Sequence, residues 1–381
     1  MVKISVVFLV MALAAPLALA QRHRMGAVDL GTPEGQLLQQ IQREQDAAKK
    51  IGLLEQYATQ YPKGESIPWA YELLMNGYAK AGQDDKVIEA GQKLIAADPG
   101  DLTAAHECLK AAEAKKDPAL ILKWAVATSE MARKVVQSPE PTAADEAEAW
   151  KRNVDYAKQV DVYTEYALYA ALLQTSDPKA KVQLGEALEE RNPKSPYMAQ
   201  AAQPLFLAYL QAGENEKALA FAERCLDSNQ ASEEMMLTLA QSYLGKKEAE
   251  KAIALSEKAI QAAEAKQKPE GVPDADWQTW RGQIAGRGQW ISGVGYASLN
   301  KWAQADKALR AALPGVRGNN AMLAEALFYL GLANYRIAES GETERARDAL
   351  RFSEECAQIA SPFQAQARIN VRAIRSRYRI R

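Results

Sequence analysis

Only two histidines and three cysteines occur in 381 residues. Two histidines cannot build a histidine-rich metal site, and three cysteines are too few for a small fold stapled by disulfides. Aromatic residues make up 7%. Neither sign of charge dominates, with 47 Lys+Arg against 48 Asp+Glu and a formal net charge of −1. That balance excludes a bulk polycation that coats nucleic acid and an acidic disordered chain. No nucleic-acid partner is expected. Catalytic signatures are missing as well. There is no phosphate-binding G-x-x-x-x-G-K-[ST] loop, and Gly286-Arg287-Gly288 lacks the third glycine of a dinucleotide fingerprint. His106-Glu107-Cys108 are adjacent residues, which point in different directions on a helix. Two S-x-x-K strings, at Ser176 and Ser298, lack the companion elements of the serine enzymes that use them. The expectation is a protein that is not an enzyme and uses no cofactor and no metal.

The first twenty residues carry a different message. Lys3 is followed by an uncharged run from Ile4 to Ala20, closing on Ala18-Leu19-Ala20 before Gln21. A basic start, an apolar stretch and small residues at −3 and −1 are the marks of a secretory signal peptide. Cleavage after Ala20 and a periplasmic or secreted mature chain of bacterial type are expected, with an uncleaved anchor as the alternative reading. Pro16 and the short run weigh against a span. No later segment reaches 18 apolar residues, so the mature chain is expected to lack a transmembrane segment.

What fills the rest is helix. Strand-type alternation is nearly absent, and Ala, Leu, Glu, Gln and Lys dominate, residues that lose little on entering a helix. Apolar positions recur at helical spacing, as in Leu205, Ala208, Tyr209 and Ala212. The pattern also repeats. Tyr209 and Tyr243 lie 34 residues apart, and nine residues beyond each comes Ala218 or Ala252. A generic Ala-rich bundle would not require that register.

On these residues the chain resembles the tetratricopeptide repeat (TPR) family, whose consensus wants an apolar residue at 7, a small one at 8, an aromatic at 11 and small residues at 20 and 27. The unit starting at Ala199 supplies Leu205, Tyr209, Ala218 and Cys225. The unit starting at Glu233 supplies Leu239, Ala240, Tyr243, Ala252 and Ala259. The unit starting at Gly286 supplies Gly293, Tyr296, Ala305 and Ala312. Tyr329 to Tyr335 opens a further unit whose second helix starts near Ala346, and Tyr71, Leu74, Tyr78 and Gly82 fit one starting at Pro68. A degenerate unit is read near Val162, with the number of repeats in 100–198 left open. The resemblance implies an all-α fold: a right-handed α-α superhelical solenoid of TPR-like helix hairpins with two longer-helix insertions. Small residues at the crossings allow helices to approach to about 8–10 Å, and each hairpin hides its apolar face only against the next.

The insertions follow Ser138-Pro139-Glu140-Pro141 and Lys268-Pro269 to Pro273. From Ala143 to Gln174 neither Pro nor Gly occurs, which predicts one extended helix or two end to end; Trp277 to Leu299 predicts another. That second stretch holds Gly282, Gly286, Gly288, Gly293 and Gly295, each costing about 1 kcal/mol in a helix, so close helix contact is expected to compensate. Pro314-Gly315 to Asn319-Asn320 reads as a loop. Cys108, Cys225 and Cys356 fall in non-adjacent repeats and are expected as buried thiols outside any disulfide. Glu233-Glu234 and Glu354-Glu355 read as solvated helix faces. The domain reading is leader 1–20, a flexible segment 21–33, the solenoid 34–367 and an Arg-rich tail 368–381.

The resemblance also implies a groove lined by first helices, in which a protein or peptide partner would lie. Its candidate residues here are Trp69, Glu72, Asn76 and Lys80; Gln200, Gln203, Leu207 and Leu210; Leu237, Gln241 and Leu244; Trp290; and Glu325, Phe328, Tyr335 and Arg336. Of the set by which co-chaperone TPR domains clamp a terminal carboxylate, only Asn76 is matched. The tail holds Arg368, Arg372, Arg375, Arg377, Arg379 and Arg381 with no acid. Anionic lipid, a cell-wall polymer, a neighbouring acidic surface and simple capping of a helix end are its alternative uses.

Overall fold

The structure, a computed structural model, describes residues 22–380; the leader read over 1–20 and Arg381 lie outside them. Among the described residues the regular structure is α-helical, without strands. The residues form two compact units, divided between Glu214 and Asn215. The first holds α1 (Pro33–Arg43), α2 (Ala47–Gln60), α3 (Ile67–Lys80), α4 (Asp84–Ala97), α5 (Leu102–Lys115), α6 (Pro118–Val136), α7 (Ala144–Gln174), α8 (Pro178–Arg191) and α9 (Pro196–Gln211). The second holds α10 (Asn215–Asp227), α11 (Glu233–Gly245), α12 (Ala249–Ala265), α13 (Asp274–Ser298), α14 (Trp302–Val316), α15 (Asn320–Glu339), α16 (Arg345–Gln358) and α17 (Gln364–Tyr378).

Helix starts follow local chemistry. Asp46, Asp101, Asp117, Asp177, Ser195 and Asn319 each accept a backbone N–H of the first turn, and Pro118, Pro178 and Pro196 stand near the start, where a missing N–H costs nothing. Within each unit every helix packs on the next in chain order, and alternate helices also touch: α3 with α5, α5 with α7, α7 with α9, and then α11 with α13 and α13 with α15. The odd-numbered helices of a unit therefore share one layer.

The turn that closes α3, α9, α11 and α13 is the same device. The backbone N–H donors of Gln83, Glu214, Glu248 and Lys301 reach the carbonyls of Tyr78, Tyr209, Tyr243 and Tyr296 at 2.8–2.9 Å. The intervening left-handed position is taken by Gly82, Gly213, Lys247 or Asn300, as a helix C-terminus of this kind requires. The tyrosines at position 11 also reach outward: Tyr78 donates to Glu55 at 2.6 Å, Tyr209 to Glu186 at 3.3 Å and Tyr296 to Glu257 at 2.8 Å. Each of these glutamates belongs to the helix preceding the tyrosine's own hairpin. The small residues placed at 20 and 27 (Ala218, Cys225, Ala252, Ala259, Ala305 and Ala312) are all buried. The chain is thus an all-α protein of TPR-like helix hairpins.

The two long helices are single: α7 spans 31 residues and α13 spans 25. The expected close contact of α13 is present. A methyl group at Gly286 would stand 2.6 Å from the Gly315 Cα, and one at Gly293 would stand 2.5 Å from the Leu309 side chain. This overturns the loop expected at Pro314-Gly315. α14 continues through Pro314 to Val316; Gly315 is pressed against Gly286 and the Gly282 carbonyl, a contact that offsets the one ladder bond Pro314 withholds. The three cysteines are buried and outside any disulfide; burial pushes the Cys108 thiol up to about 12 and that of Cys356 to about 11. The glutamate pairs correct a second expectation in part: Glu355 is exposed, whereas the other three are engaged. Glu233 is buried and held by Lys266 at 2.9 Å, Glu234 is paired with Arg287, and Glu354 with Arg375 at 2.6 Å. These partners lie outside the glutamates' own helices, which a single helix face does not reveal.

Candidate functional site: the first-helix faces

Three candidate groove residues are core. Trp69 is 6% exposed, Trp290 is 5% exposed and Leu237 is fully buried. So buried, they are out of a ligand's reach, and Leu237→Ala is expected to destabilise the fold by about 2–5 kcal/mol. The others remain at the surface. Asn76, Lys80, Gln200, Leu207, Gln241 and Arg336 are exposed, while Glu72, Gln203, Leu210, Leu244, Glu325, Phe328 and Tyr335 are half-buried.

In the first unit these residues join a larger array. Residues on α5, α7 and α9 form a ladder of rings. His106 meets Tyr163 edge-on at 5.2 Å, Tyr163 lies 6.1 Å from Tyr166, Tyr166 lies 5.7 Å from Tyr197, and Tyr197 stacks on Tyr169 at 5.6 Å. Tyr169 donates to the Gln200 amide oxygen at 3.1 Å. The ladder runs from a dry end to a wet end. At the dry end His106 Nδ1 is 2.9 Å from the Tyr156 hydroxyl and its Nε2 is buried with no hydrogen-bond partner. Burial, with a smaller push from Lys110, lowers the imidazole to about 4. Tyr163 donates to Glu113 at 2.6 Å; burial raises the Glu113 carboxyl, with the Tyr163 bond working against it, and burial and Glu113 both raise the Tyr163 phenol. At the wet end Gln200 is exposed; elsewhere along α7 and α9 Tyr166 is 39% exposed and Leu207 38%, with Val162 and Leu173 also exposed.

The sequence held a signal for this face. Tyr163, Tyr166, Tyr169 and Leu173 lie 34 residues before Tyr197, Gln200, Gln203 and Leu207. The second half of α7 is therefore a first helix in register with α9, and its groove positions are Tyr166, Tyr169 and Leu173. The degenerate unit read near Val162 thus starts three residues later, at Glu165, inside α7.

In the second unit, Gln241 accepts from Arg287 Nη2 at 3.1 Å, and the same guanidinium pairs with Glu234. Phe328 packs on Phe363 with centroids 5.0 Å apart. Burial alone raises the Glu325 carboxyl nearby on α15. Residues 368–378 of the expected tail lie in α17. Arg377 donates to the Tyr335 hydroxyl at 2.9 Å and pairs with Glu339 at 2.6 Å, and Arg375 pairs with Glu354. Arg336 pairs with Glu339 at 2.9 Å. Arg368, Arg372 and Arg379 are exposed.

The segment expected to be flexible is engaged. Arg22 pairs with Asp98 at 2.8 Å, His23 Nε2 lies 3.0 Å from Asp101, and Glu72 accepts the backbone N–H groups of Arg22 and His23 at 3.2 and 2.9 Å. Ligand atoms of His23, Asp98 and Asp101 all lie within 4.8 Å of one another, but the Arg22 guanidinium already supplies the positive charge those carboxylates attract.

No family model matches the chain, and no curated protein does. Among solved structures the chain is similar to the TPR domain of P58(IPK), with 12% identity, 91% of this chain and 98% of that one covered, and a TM-score of 0.30. It is also similar to a thermophilic TPR protein of Thermus thermophilus, with 18% identity, coverage of 66% and 98%, and a TM-score of 0.19. Superpositions this loose carry no argument. The TPR-like description stands on the 34-residue register, the shared turn and the tyrosine bonds.

Proposed function

We propose that this chain is a non-enzymatic scaffold of the periplasm or the cell exterior that holds a protein or peptide on the first-helix face of α7 and α9. The observation that carries the reading is the partly exposed array of Tyr166, Tyr169, Leu173, Gln200 and Leu207. Tyrosine rings and leucines offer apolar area at low entropic cost, while hydroxyls and amides meet peptide groups, a mixture suited to polypeptide recognition. Export rests on the leader read in the first twenty residues. The test is capture of partners from envelope extracts by the mature chain. Tyr166→Ala with Leu207→Ala is expected to lower retention about tenfold or more, about 1.4 kcal/mol, with the melting temperature nearly unchanged. Full retention by that variant would remove the ladder from the function.

One observation favours a second reading. Arg368, Arg372 and Arg379 are exposed along α17, beside an exposed Ile369, a pattern that suits anionic lipid or a cell-wall polymer. Binding to anionic vesicles that is lost on replacing these arginines and on raising salt would support it.

A further inference from the structure

We propose that the surface formed by α3 and the α4–α5 turn is a receptor for an extended basic peptide, and that the chain's own residues 22–26 fill it in cis. This deepens the peptide-holding reading but concerns a different patch from the tyrosine ladder. Glu72 is one of the groove residues read from the sequence, and it does what a peptide groove must do: its two carboxylate oxygens take two successive backbone N–H groups, those of Arg22 and His23. Ser66 Oγ takes a third, from Gly26, at 3.0 Å. These bonds read main chain, whatever the side chains are.

The side chains are read separately. Arg22 lies between the Asp98 carboxylate, at 2.8 Å, and the Gly100 carbonyl, which its Nη1 reaches at 3.2 Å. His23 Nε2 lies 3.0 Å from Asp101 and 3.7 Å from Asp98. The receiving groups are fixed by the fold. Asp101 is buried and its other oxygen caps α5 through Ala104 at 2.9 Å. Asp98 is held by the Gly100 N–H at 3.1 Å, and Ser66 is fully buried at the start of α3. The incoming residues have no regular secondary structure. Fixed acceptors meeting an irregular basic strand through main chain and side chain together is the geometry of a peptide complex made within one chain. A tethered ligand at high effective concentration excludes a competing one, so the site opens only when the strand leaves.

The experiment uses the full chain. Deleting residues 22–26 from the otherwise full chain removes both the main-chain and the side-chain ties and empties the surface. A fluorescent peptide of residues 21–30 is then offered in trans and its anisotropy followed. The emptied chain is expected to bind it at least tenfold more tightly than the unaltered chain does, and binding should weaken as salt rises. Adding Glu72→Ala and Asp98→Asn to the emptied chain should abolish binding while the helical circular-dichroism signal stays. Equal binding by emptied and unaltered chains, or none by a folded emptied chain, overturns the proposal. Tyr166→Ala with Leu207→Ala should leave this affinity unchanged. Loss of trans-peptide binding with ladder-dependent capture intact would sink this inference alone, and the reverse result would sink only the ladder reading.

Discussion

The helices α7 and α13 pose the same problem and solve it in opposite ways. Each is longer than a repeat hairpin allows. α7 has no glycine and fills the extra length with bulk, spreading tyrosines toward α5 and α9. α13 removes bulk, so that the backbone of α14 comes into contact at Gly286 and Gly315 and the side chains of Ile260 and Ile253 in α12 press on Gly288 and Gly295. A helix that keeps its neighbours at side-chain distance leaves a surface between layers for something else to touch. A helix drawn in to backbone distance leaves none. The difference gives α13 the cohesion, and it is on α7 that the proposed recognition face lies.

The largest effect is expected where that cohesion is broken. Gly286→Val places carbon against the Gly315 backbone, which cannot rotate away as a side chain can, and the loss should be about 3 kcal/mol or more, at the upper end for overpacking. Urea titration reads it directly. A loss under about 1 kcal/mol would mean that α14 is free to retreat and that the close crossing is incidental.

The next effect lies at the dry end of the α7 ladder. A histidine in an unfolded chain titrates near 6.5, whereas burial holds folded His106 at about 4. Between those values the unfolded state takes up the proton and the folded state does not. Stability is therefore at its fullest above pH 6.5, falls as pH drops toward 4, and is down by about 2 kcal/mol at pH 5 from this group. His106→Gln should flatten that part of the denaturation-midpoint profile. Parallel profiles for the two proteins would show that the imidazole is wetter than its packing against Tyr156 and Tyr163 indicates.

The same contrast shows what could be read from sequence. Hairpin register, turn position and crossing residues were legible because each is set within a few residues: a tyrosine, the glycine four beyond it, the alanine nine beyond it. The glycines of α13 pointed to close contact for the same reason. Burial of Trp69, Leu237 and Trp290 was not legible, since a groove position is defined within one hairpin and burial depends on contacts outside that pattern. Glu233 looked solvated because its partner, Lys266, sits 33 residues away, just past the end of α12. The N-terminal strand looked loose because its ties to Glu72 and Asp101 span 49 and 78 residues, and no local pattern marks them.

The smallest effect separates two explanations of the α13 glycines. If glycine is needed only where another backbone arrives, Gly282 is dispensable on its own side: it is exposed, and a methyl group there would meet nothing within 4 Å. Its carbonyl, which Gly315 approaches, survives substitution. Gly282→Ala should then stabilise the chain by up to about 1 kcal/mol through helix propensity alone, visible as a small rise in the denaturation midpoint. A loss of stability would mean that the glycines of α13 act together, by letting the helix bend around its neighbours, and that the contact at Gly286 is a consequence of that bend. Because Gly282 and Gly286 lie one turn apart on the same helix, opposite signs for their substitutions would tie the requirement to the crossing itself.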